Sequence, residues 1–581
     1  MCYRWLMFGM AVVLLGSTPI MAQQTVGLFL NDEASFDGYT LFNQLNSDTS
    51  YLIDNAGKLV HSWESSFAPG ISVYLLDNGH LLRTARFAPG GSPFNAGGTG
   101  GRVEEFAWDG TQVWNYVYST ADHRQHHDIE RLPNGNVLMI AWERKTDLEA
   151  IAEGRDPGTL PGQLWPDHLI EVQPVGASGG TIVWEWHTWD HLIQDFDPTK
   201  SNFGVVSDHP ELININFAPG PADWMHVNAV DYNPALDQII VSSPRFNEVW
   251  IIDHSTTSAE AASHSGGSSG MGGDLLYRWG NPRAYDRGDA ADQRLFGQHD
   301  AQWIEPGLIG AGNVLVFNNG VGRPQGNYSS VDEFAPPVDE SGDYSLDAGS
   351  AYGPGELVWT YIADPPGDFF ASFISGAQRL PNDDTLVCYG PQGTFFETTQ
   401  DSTIVWEYVS PVTSNGTTSQ GNPPGNNSVF RAYRYPPDYP GLVGQDLTPG
   451  DPLEQYTKPL PVPDGQDGTE PLTCSYAGAG VLRVFWDVDS CPAFGYHLIY
   501  GDLADVAVYS LQGSECGIGI SGSFQWEGVP AGDLFFLVVG VDDTGVYESS
   551  WGVDSTGAER NGGGPSNLCG VTSKDFGETC P

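Results

Sequence analysis

Positive charge is scarce in this sequence: 24 Lys and Arg, only five of them Lys, stand against 73 Asp and Glu. A surface so acidic repels nucleic acid and anionic lipid, which excludes both as partners. It also gives no long-range steering to an anionic substrate, so a site for one must carry its own local cation. Cysteine is sparse as well. There are seven, with no CxxC pair among them, which argues against a cysteine zinc site. Sustained helical periodicity is missing, and Asp147 to Gly154 is the best short candidate. Beyond the first 22 residues no apolar run reaches membrane-spanning length, so no membrane insertion is expected.

Those first residues read as a signal peptide, 1–22. Arg4 is the basic start, Leu6 to Leu15 the apolar stretch and Ile20-Met21-Ala22 the cleavage site before Gln23. The mature protein is therefore expected to be exported, to the periplasm or beyond the cell. Five cysteines (Cys474, Cys491, Cys516, Cys569, Cys580) fall in the last fifth, where an exported protein would form disulfides, with one left over. Cys388 lies in an apolar run and reads as a small core residue.

What the chain has in quantity is glycine (72), proline (41) and aromatics, 18 of them Trp. The aromatics recur. A strand with an apolar Trp appears around Trp63, Trp114 to Tyr116, Trp184 to Trp186, Trp279, Trp359 to Tyr361 and Trp406 to Tyr408. Each is followed by a turn between two apolar strands, clearest in Leu76-Asp-Asn-Gly-His-Leu-Leu82 and Leu132-Pro-Asn-Gly-Asn-Val-Leu138. Asn-Gly between apolar runs is a strong hairpin signal, because both residues tolerate positive φ. Six such units predict an all-β chain: a six-bladed β-propeller over 23–440. A solenoid or sandwich would also supply many strands, but six units of this size with variable loops favour a closed ring.

Residues 441–468, rich in Pro, Gly and Asp, read as a linker. Short strands at Leu482 to Trp486, Tyr496 to Tyr500, Phe524 to Trp526 and Leu534 to Val541 then predict a small fibronectin type III-like β-sandwich over 469–562. A Cys-containing tail, 563–581, follows. The sandwich is expected to act as a spacer or cell-surface attachment element.

Aligning the hairpins on the residue before each turn puts His127, His226 and His299 at one equivalent position, shared with Ile71 and Ser375. Equivalent residues of successive blades circle the axis together, so the three imidazoles are expected at one central mouth. Strand alternation puts Asn228 on the same side as His226 and turns Asp128 and Asp300 away from the axis, toward neighbouring blades. Imidazole can be nucleophile, proton shuttle or metal ligand. A three-histidine metal site is the competing use, but positions one blade apart diverge around a channel, and no metal or other cofactor is assigned.

The stretches HHDIERLPNGN, DWMHVNAVDYNPALDQIIVS, GQHDAQW and FNNGVGRP resemble, in that order, motifs of the bacterial arylsulfotransferase (aryl-sulfate sulfotransferase) family. The resemblance implies a PAPS-independent enzyme that moves a sulfuryl group from a phenolic sulfate to a phenolic acceptor, ping-pong, through a sulfated histidine. By motif, His299 is the nucleophile. His226 and Asn228 bind sulfuryl oxygens, His226 being also the proton donor to the departing phenolate, and His127 is the third imidazole, with His126 as its alternative. The family's arginine after the strand of the second motif is displaced here: Val241-Ser-Ser-Pro-Arg245 puts Pro244 in its place and Arg245 one residue on. One residue reverses facing on a strand unless a bulge intervenes. Arg323 is the candidate replacement. No Cys-x-Pro-x-Arg or GxxxxGK stretch occurs, which disfavours a formylglycine sulfatase and a phosphate loop. The displaced arginine and the extra module favour the alternative, a non-catalytic secreted propeller that binds a ligand or surface partner.

Overall fold

The computed structural model describes residues 24–88, 92–420, 422–454, 472–478, 481–488, 493–542, 544–551, 559–562 and 564–574. The signal-peptide segment, Cys491 and Cys580 lie outside them. The chain divides into two compact units, one made of Val26–Thr418 with Pro423–Glu454, the other containing Gln455–Pro581.

The larger unit is all-β and consists chiefly of six antiparallel meanders, each with its strands in spatial order. The first joins Val429–Tyr435 to Tyr39–Gln44, Thr49–Ile53 and Leu59–Glu64, so the end of the unit supplies the innermost strand of its beginning. The second is Pro69–Leu75, Leu81–Arg86, Gly101–Phe106 and Gln112–Val117. The third is His123–Arg131, Val137–Glu143, Asp167–Pro174 and Gly180–His187. The fourth is Ala229–Asn233, Gln238–Ser243, Glu248–Asp253 and Leu275–Trp279. The fifth is His299–Trp303, Val314–Asn318, Ser330–Phe334 and Trp359–Tyr361. The sixth is Gly376–Arg379, Thr385–Tyr389, Thr394–Thr398 and Ile404–Val409, with Gly27–Asn31 added outside.

The six tryptophan strands of the sequence are the fourth strands of the six meanders. An indole N–H can only donate, so a packed Trp needs an acceptor. In each case the next meander supplies it. Trp63 donates to the Ala107 carbonyl at 3.1 Å, Trp114 to Gly179 at 2.8 Å and Trp184 to Thr256 Oγ1 at 3.0 Å. Trp279 donates to Pro354 at 2.9 Å, Trp359 to Gln400 at 3.0 Å and Trp406 to Asn55 at 2.9 Å, which returns to the first meander. The recurring Trp thus joins neighbouring sheets all the way round.

A second ring of bonds runs along the innermost strands. Ser72 Oγ donates to the His127 carbonyl at 2.7 Å, and Asp128, Asp231 and Asp300 accept the backbone N–H groups of Val230, Trp303 and Ala377. Gln378 accepts from Arg434 N at 2.7 Å, and Tyr435 OH from Leu75 N at 2.9 Å. Within this ring lies a cavity of about 230 Å³, and every meander's innermost strand contributes to its wall: Tyr433, Tyr74, Glu130, Asp231, Ala301 and Gln378. The tight turns follow the sequence: Gly79 and Gly135 have φ of +80° and +87° in the two Asn-Gly hairpins. The expected helix is present as Asp147–Ala152, capped reciprocally by Thr146 and Glu149.

The linker reading needs a correction at its start. Residues 441–454 belong to the larger unit: Leu442 is buried with Leu41 and Trp63, and Gly450 N donates to the Leu59 carbonyl at 2.7 Å. Apolar Leu442 amid Pro and Gly is what anchors them.

The second unit has a three-stranded sheet (Thr473–Gly478, Val481–Phe485, Ser523–Trp526) and a five-stranded one. Val484 and Trp526 of the first pack with Tyr496, Leu498 and Val538 of the second. Cys516 and Cys569 are disulfide-bonded, and Cys474 is free and exposed. The tail is not separate from the sheets. Beyond Cys569, Val571 is buried and Ser573–Lys574 pairs with Tyr547–Glu548. Cys388 is buried in the sixth meander. Among the described residues no helix is long and apolar enough to cross a membrane.

Candidate active site

The register shared by the three histidines is a backbone feature. Positive φ occurs at Ile71 (+104°), His127 (+49°), His226 (+56°), Ile374 (+49°) and Ser375 (+89°), and at Asp300 (+55°), next to His299. Pairing registers of the second, third and fifth meanders slip at these points. A left-handed residue in a bulge re-aims its side chain and ends simple alternation. Here it brings His127 and His226 face to edge and sets His127 and His299 against one phenylalanine. The rings of His127 and His226 are 4.5 Å apart, edge to face, and Phe430 lies 6.1 Å from His127 and 6.4 Å from His299.

Each ring is fixed by a partner on its Nδ1. Asn319 donates both its amide hydrogens, to the Ala371 and Ile374 carbonyls, so its Oδ1 is an acceptor and receives His299 Nδ1–H at 2.8 Å. His299 Nε2 therefore carries a lone pair, and Ile374 N–H donates to it at 3.2 Å. His226 Nδ1 bonds Asp223 Oδ2 through a short hydrogen bond, and Asp223 Oδ1 accepts from Trp142 Nε1 at 3.0 Å. The third chain runs from Asp167 Oδ1 to His126 Nε2 at 2.6 Å, then from His126 Nδ1 to His127 Nδ1 at 2.8 Å. With the proton on His126 Nε2, His127 donates from Nδ1 and keeps a bare Nε2. His126 is wholly buried and stacks on Trp142 at 3.9 Å, so it stands behind His127 rather than beside it.

A glycine pair covers the group. His127 N donates to the Gly98 carbonyl at 2.7 Å, and a Cβ on Gly98 would fall 2.2 Å from His127 Nε2. One on Gly97 would meet His226 Cε1 at 3.5 Å. Only Gly98, at φ +71°, admits so close an approach. Arg124 holds this loop by donating to the Phe94 and Gly100 carbonyls.

Burial pushes the histidines toward neutrality. His299 falls to about 3, through desolvation and the positive neighbours His226 and Arg431, against the Asn319 hydrogen bond. His126 and His127 are also pushed far below the usual imidazole range, first by burial. Asp223 would be raised by burial but is held low by His226, whereas burial and Asp223 drive Asp167 up.

The sequence profile of the arylsulfotransferase family (ASST) matches residues 27–423. The chain belongs to the arylsulfotransferase family. Membership supports aryl sulfotransferase activity in general, with small-molecule substrates. No curated protein sequence matches the chain. Similar solved structures include a protein of unknown function from Bacteroides caccae (12% identity, TM-score 0.37, 69% of this chain and 100% of that one). Two more are virginiamycin B lyase from Staphylococcus aureus (11%, 0.32, 68% and 86%) and the β-propeller domain of Myceliophteria thermophila Cps50 (Swd1) (9%, 0.31, 67% and 87%).

The other residues singled out in this arylsulfotransferase sequence are placed as follows. Asn228 is buried, its Nδ2 donates to the Gln298 carbonyl at 2.8 Å, and its Oδ1 has no hydrogen-bond partner. Arg245 sits in the turn between the second and third strands of the fourth meander, exposed, and its charge helps to lower Asp223. Arg323 is turned away: it donates to Ser330 Oγ at 2.6 Å and lies against Tyr328 and Phe296. The expectation that Asp128 and Asp300 leave the axis is corrected. Both do accept a neighbouring backbone N–H, but both also converge on Arg431, with Nη1 at 2.6 Å from Asp128 Oδ2 and Nε at 2.9 Å from Asp300 Oδ1. The left-handed turn at His127 and at Asp300 itself is the cause. Arg431 Nη2 also donates to the Asn228 carbonyl at 2.9 Å, so one guanidinium ties together the three strands that carry the histidines.

Asp167, Trp142, Asn319, Phe430 and Arg431 had no assigned role from sequence. Only Asn319, inside FNNGVGRP, and Asp223, inside DWMHVN, carried a signal by lying in a motif.

Proposed function

We propose that the six meanders are the blades of a six-bladed β-propeller, followed by a fibronectin type III-like module, and that the chain is an exported PAPS-independent aryl-sulfate sulfotransferase. The observation that carries the reading is His299: a neutral imidazole with its Nδ1–H fixed on Asn319, an unprotonated Nε2 capped by the Ile374 N–H, and His226 near enough for its charge to act on the ring.

In the first half-reaction Nε2 of His299 attacks the sulfur of a phenolic sulfate. The S–N bond forms as the S–O bond to the aryl group breaks, and the phenolate leaves with a proton from His226. The positive charge on the sulfated ring is met by Asn319 Oδ1. Asp223 holds His226 in orientation through its Nδ1. In the second half-reaction an acceptor phenol gives its proton to His226 and attacks sulfur, and His299 returns neutral. Splitting transfer this way lets one pocket serve donor and acceptor in turn. The Ile374 N–H, released from Nε2 as that lone pair bonds to sulfur, turns to the sulfuryl oxygens, which also accept from the second Asn228 amide hydrogen and from Arg245 at the rim, donors whose worth rises in a dry site.

The test is brief exposure to 4-nitrophenyl sulfate followed by mass spectrometry. A sulfuryl adduct on His299, with acceptor-dependent nitrophenolate release that falls at least about 10³-fold in His299→Ala, is expected. Adduct-free protein with release unchanged in that variant would leave the alternative, a secreted propeller that binds a ligand or surface partner.

A further inference from the structure

Away from the axis, His191, His264 and Asp274 place one ligand atom each within 4.8 Å of one another. The three come from different segments. His191 follows the last strand of the third meander, His264 lies in the long connection before the last strand of the fourth, and Asp274 immediately precedes that strand. His191 Nδ1 and His264 Nδ1 both lie 2.8 Å from Asp274 Oδ1, and the two rings are 5.8 Å apart at 87°.

The far side of the buried ring decides what this cluster can hold. His191 Nε2 lies 2.8 Å from the Ala261 carbonyl, which can only accept, so the hydrogen is on Nε2. A neutral His191 then turns a lone pair at the carboxylate, and two acceptors 2.8 Å apart repel. A cation shared by both Nδ1 atoms and the carboxylate relieves it with His191 neutral. An imidazole whose other N–H is anchored on a backbone carbonyl is also the usual outer shell of a metal-bound histidine. Stacking against Trp186 at 4° fixes the ring plane.

We propose that His191, His264 and Asp274 form a binding site for a divalent late first-row metal ion, Zn²⁺ foremost, that fastens the connection 254–273 of the fourth meander to the end of the third. Two imidazoles and one carboxylate suit zinc and disfavour Ca²⁺ and Mg²⁺, which take oxygen ligands. His264 also lines a cavity of about 430 Å³, together with His209 and Asp190, so a fourth ligand can be water. The site does not depend on the sulfotransferase reading, and it departs from the sequence reading, which assigned no metal.

The full chain, stripped with EDTA, is titrated with ZnCl₂ at neutral pH, with bound zinc counted by elemental analysis and unfolding followed thermally. One equivalent bound, with a rise in Tm, is expected. The His264 side chain is 61% exposed, so His264→Ala removes a ligand without opening the core. That variant should bind at least about tenfold more weakly and lose the Tm rise, as should His191→Ala, while His299→Ala binds like the parent. A parent chain that takes up no stoichiometric zinc, or a His264→Ala chain that binds as tightly as the parent, overturns the site.

Discussion

The two sides of the axial ring share a backbone and differ in chemistry. In the third, fourth and fifth meanders the shared register position carries His127, His226 and His299. In the second and sixth it carries Ile71 and Ile374–Ser375, and the first adds Phe430; Ile71, Ile374 and Phe430 pack together. Left-handed φ occurs on both sides, even at β-branched Ile71, where it costs on the order of 1–3 kcal/mol. The unusual backbone therefore belongs to the ring, and the side chains set on it decide what each side does. The apolar side also acts on the other: with Phe430 against His127 and His299, it removes the water that would let those imidazoles charge.

The largest effect should come from cutting the tie across this divide. Arg431 leaves the apolar strand beside Phe430 and pairs with Asp128 and Asp300 on the histidine strands. Burial opposes its charge, but those two carboxylates keep it protonated. In Arg431→Met they stay buried without a cation, so a loss of about 3–5 kcal/mol in urea unfolding is expected. Asp300, pushed up by burial to about 6 even beside Arg431, would then titrate higher still. A variant as stable as the parent would mean the two sides are joined by the backbone bonds alone.

Next comes the cover of the histidine side. Gly98→Ala puts a methyl group onto His127 Nε2 at a left-handed φ, so the loop must lift or the ring must turn. A loss of about 1–3 kcal/mol and a fall of roughly 10- to 100-fold in kcat/KM are expected, since misplacement of a reacting group by about 1 Å costs that much. The same change at Gly110, where nothing lies within 4 Å, tests the backbone strain without the contact.

A smaller effect is expected in the outer ring. Trp63→Phe removes one of six indole N–H bonds and leaves the Ala107 carbonyl without its donor. A cost of about 1–2 kcal/mol with unchanged kcat would separate what closes the ring from what lines its mouth.

These differences match what was legible in the sequence. The tryptophans were readable because each carries an obligate donor and recurs at a fixed place. The histidines were readable because the turn after each gave a common origin for counting. The left-handed register itself was not, since neither Ile71 nor His127 is a glycine, the usual mark of positive φ. Arg431 was invisible for another reason. It is 303 residues from Asp128, and only closure of the ring, with the last strand laid inside the first sheet, brings them together. Arg245 was expected on a strand with its facing reversed; it lies instead at the tip of a turn on the same end as His226, a place that depends on the hairpin and that no count along the chain supplies.

The smallest effect expected is none, and it tests the comparison most directly. If the apolar side keeps His299 neutral, with its proton uptake pushed down to about 3, then the rate of its sulfation in a single turnover should not fall between pH 8 and pH 5. An ordinary imidazole would lose most of its lone-pair form across pH 6.5 and slow accordingly. Stability carries the same sign. A histidine lowered from 6.5 to about 3 on folding binds its proton more readily in the unfolded chain, so its contribution is complete above pH 6.5 and is lost as pH falls toward 3. Measured as a difference from His299→Gln, which cancels the buried carboxylates of the channel, the parent should lose about 1.4 kcal/mol per pH unit below 6.5. A sulfation rate that halves near pH 6.5, with no such slope in the difference, would show that the apolar half of the ring does not govern the chemistry of the other.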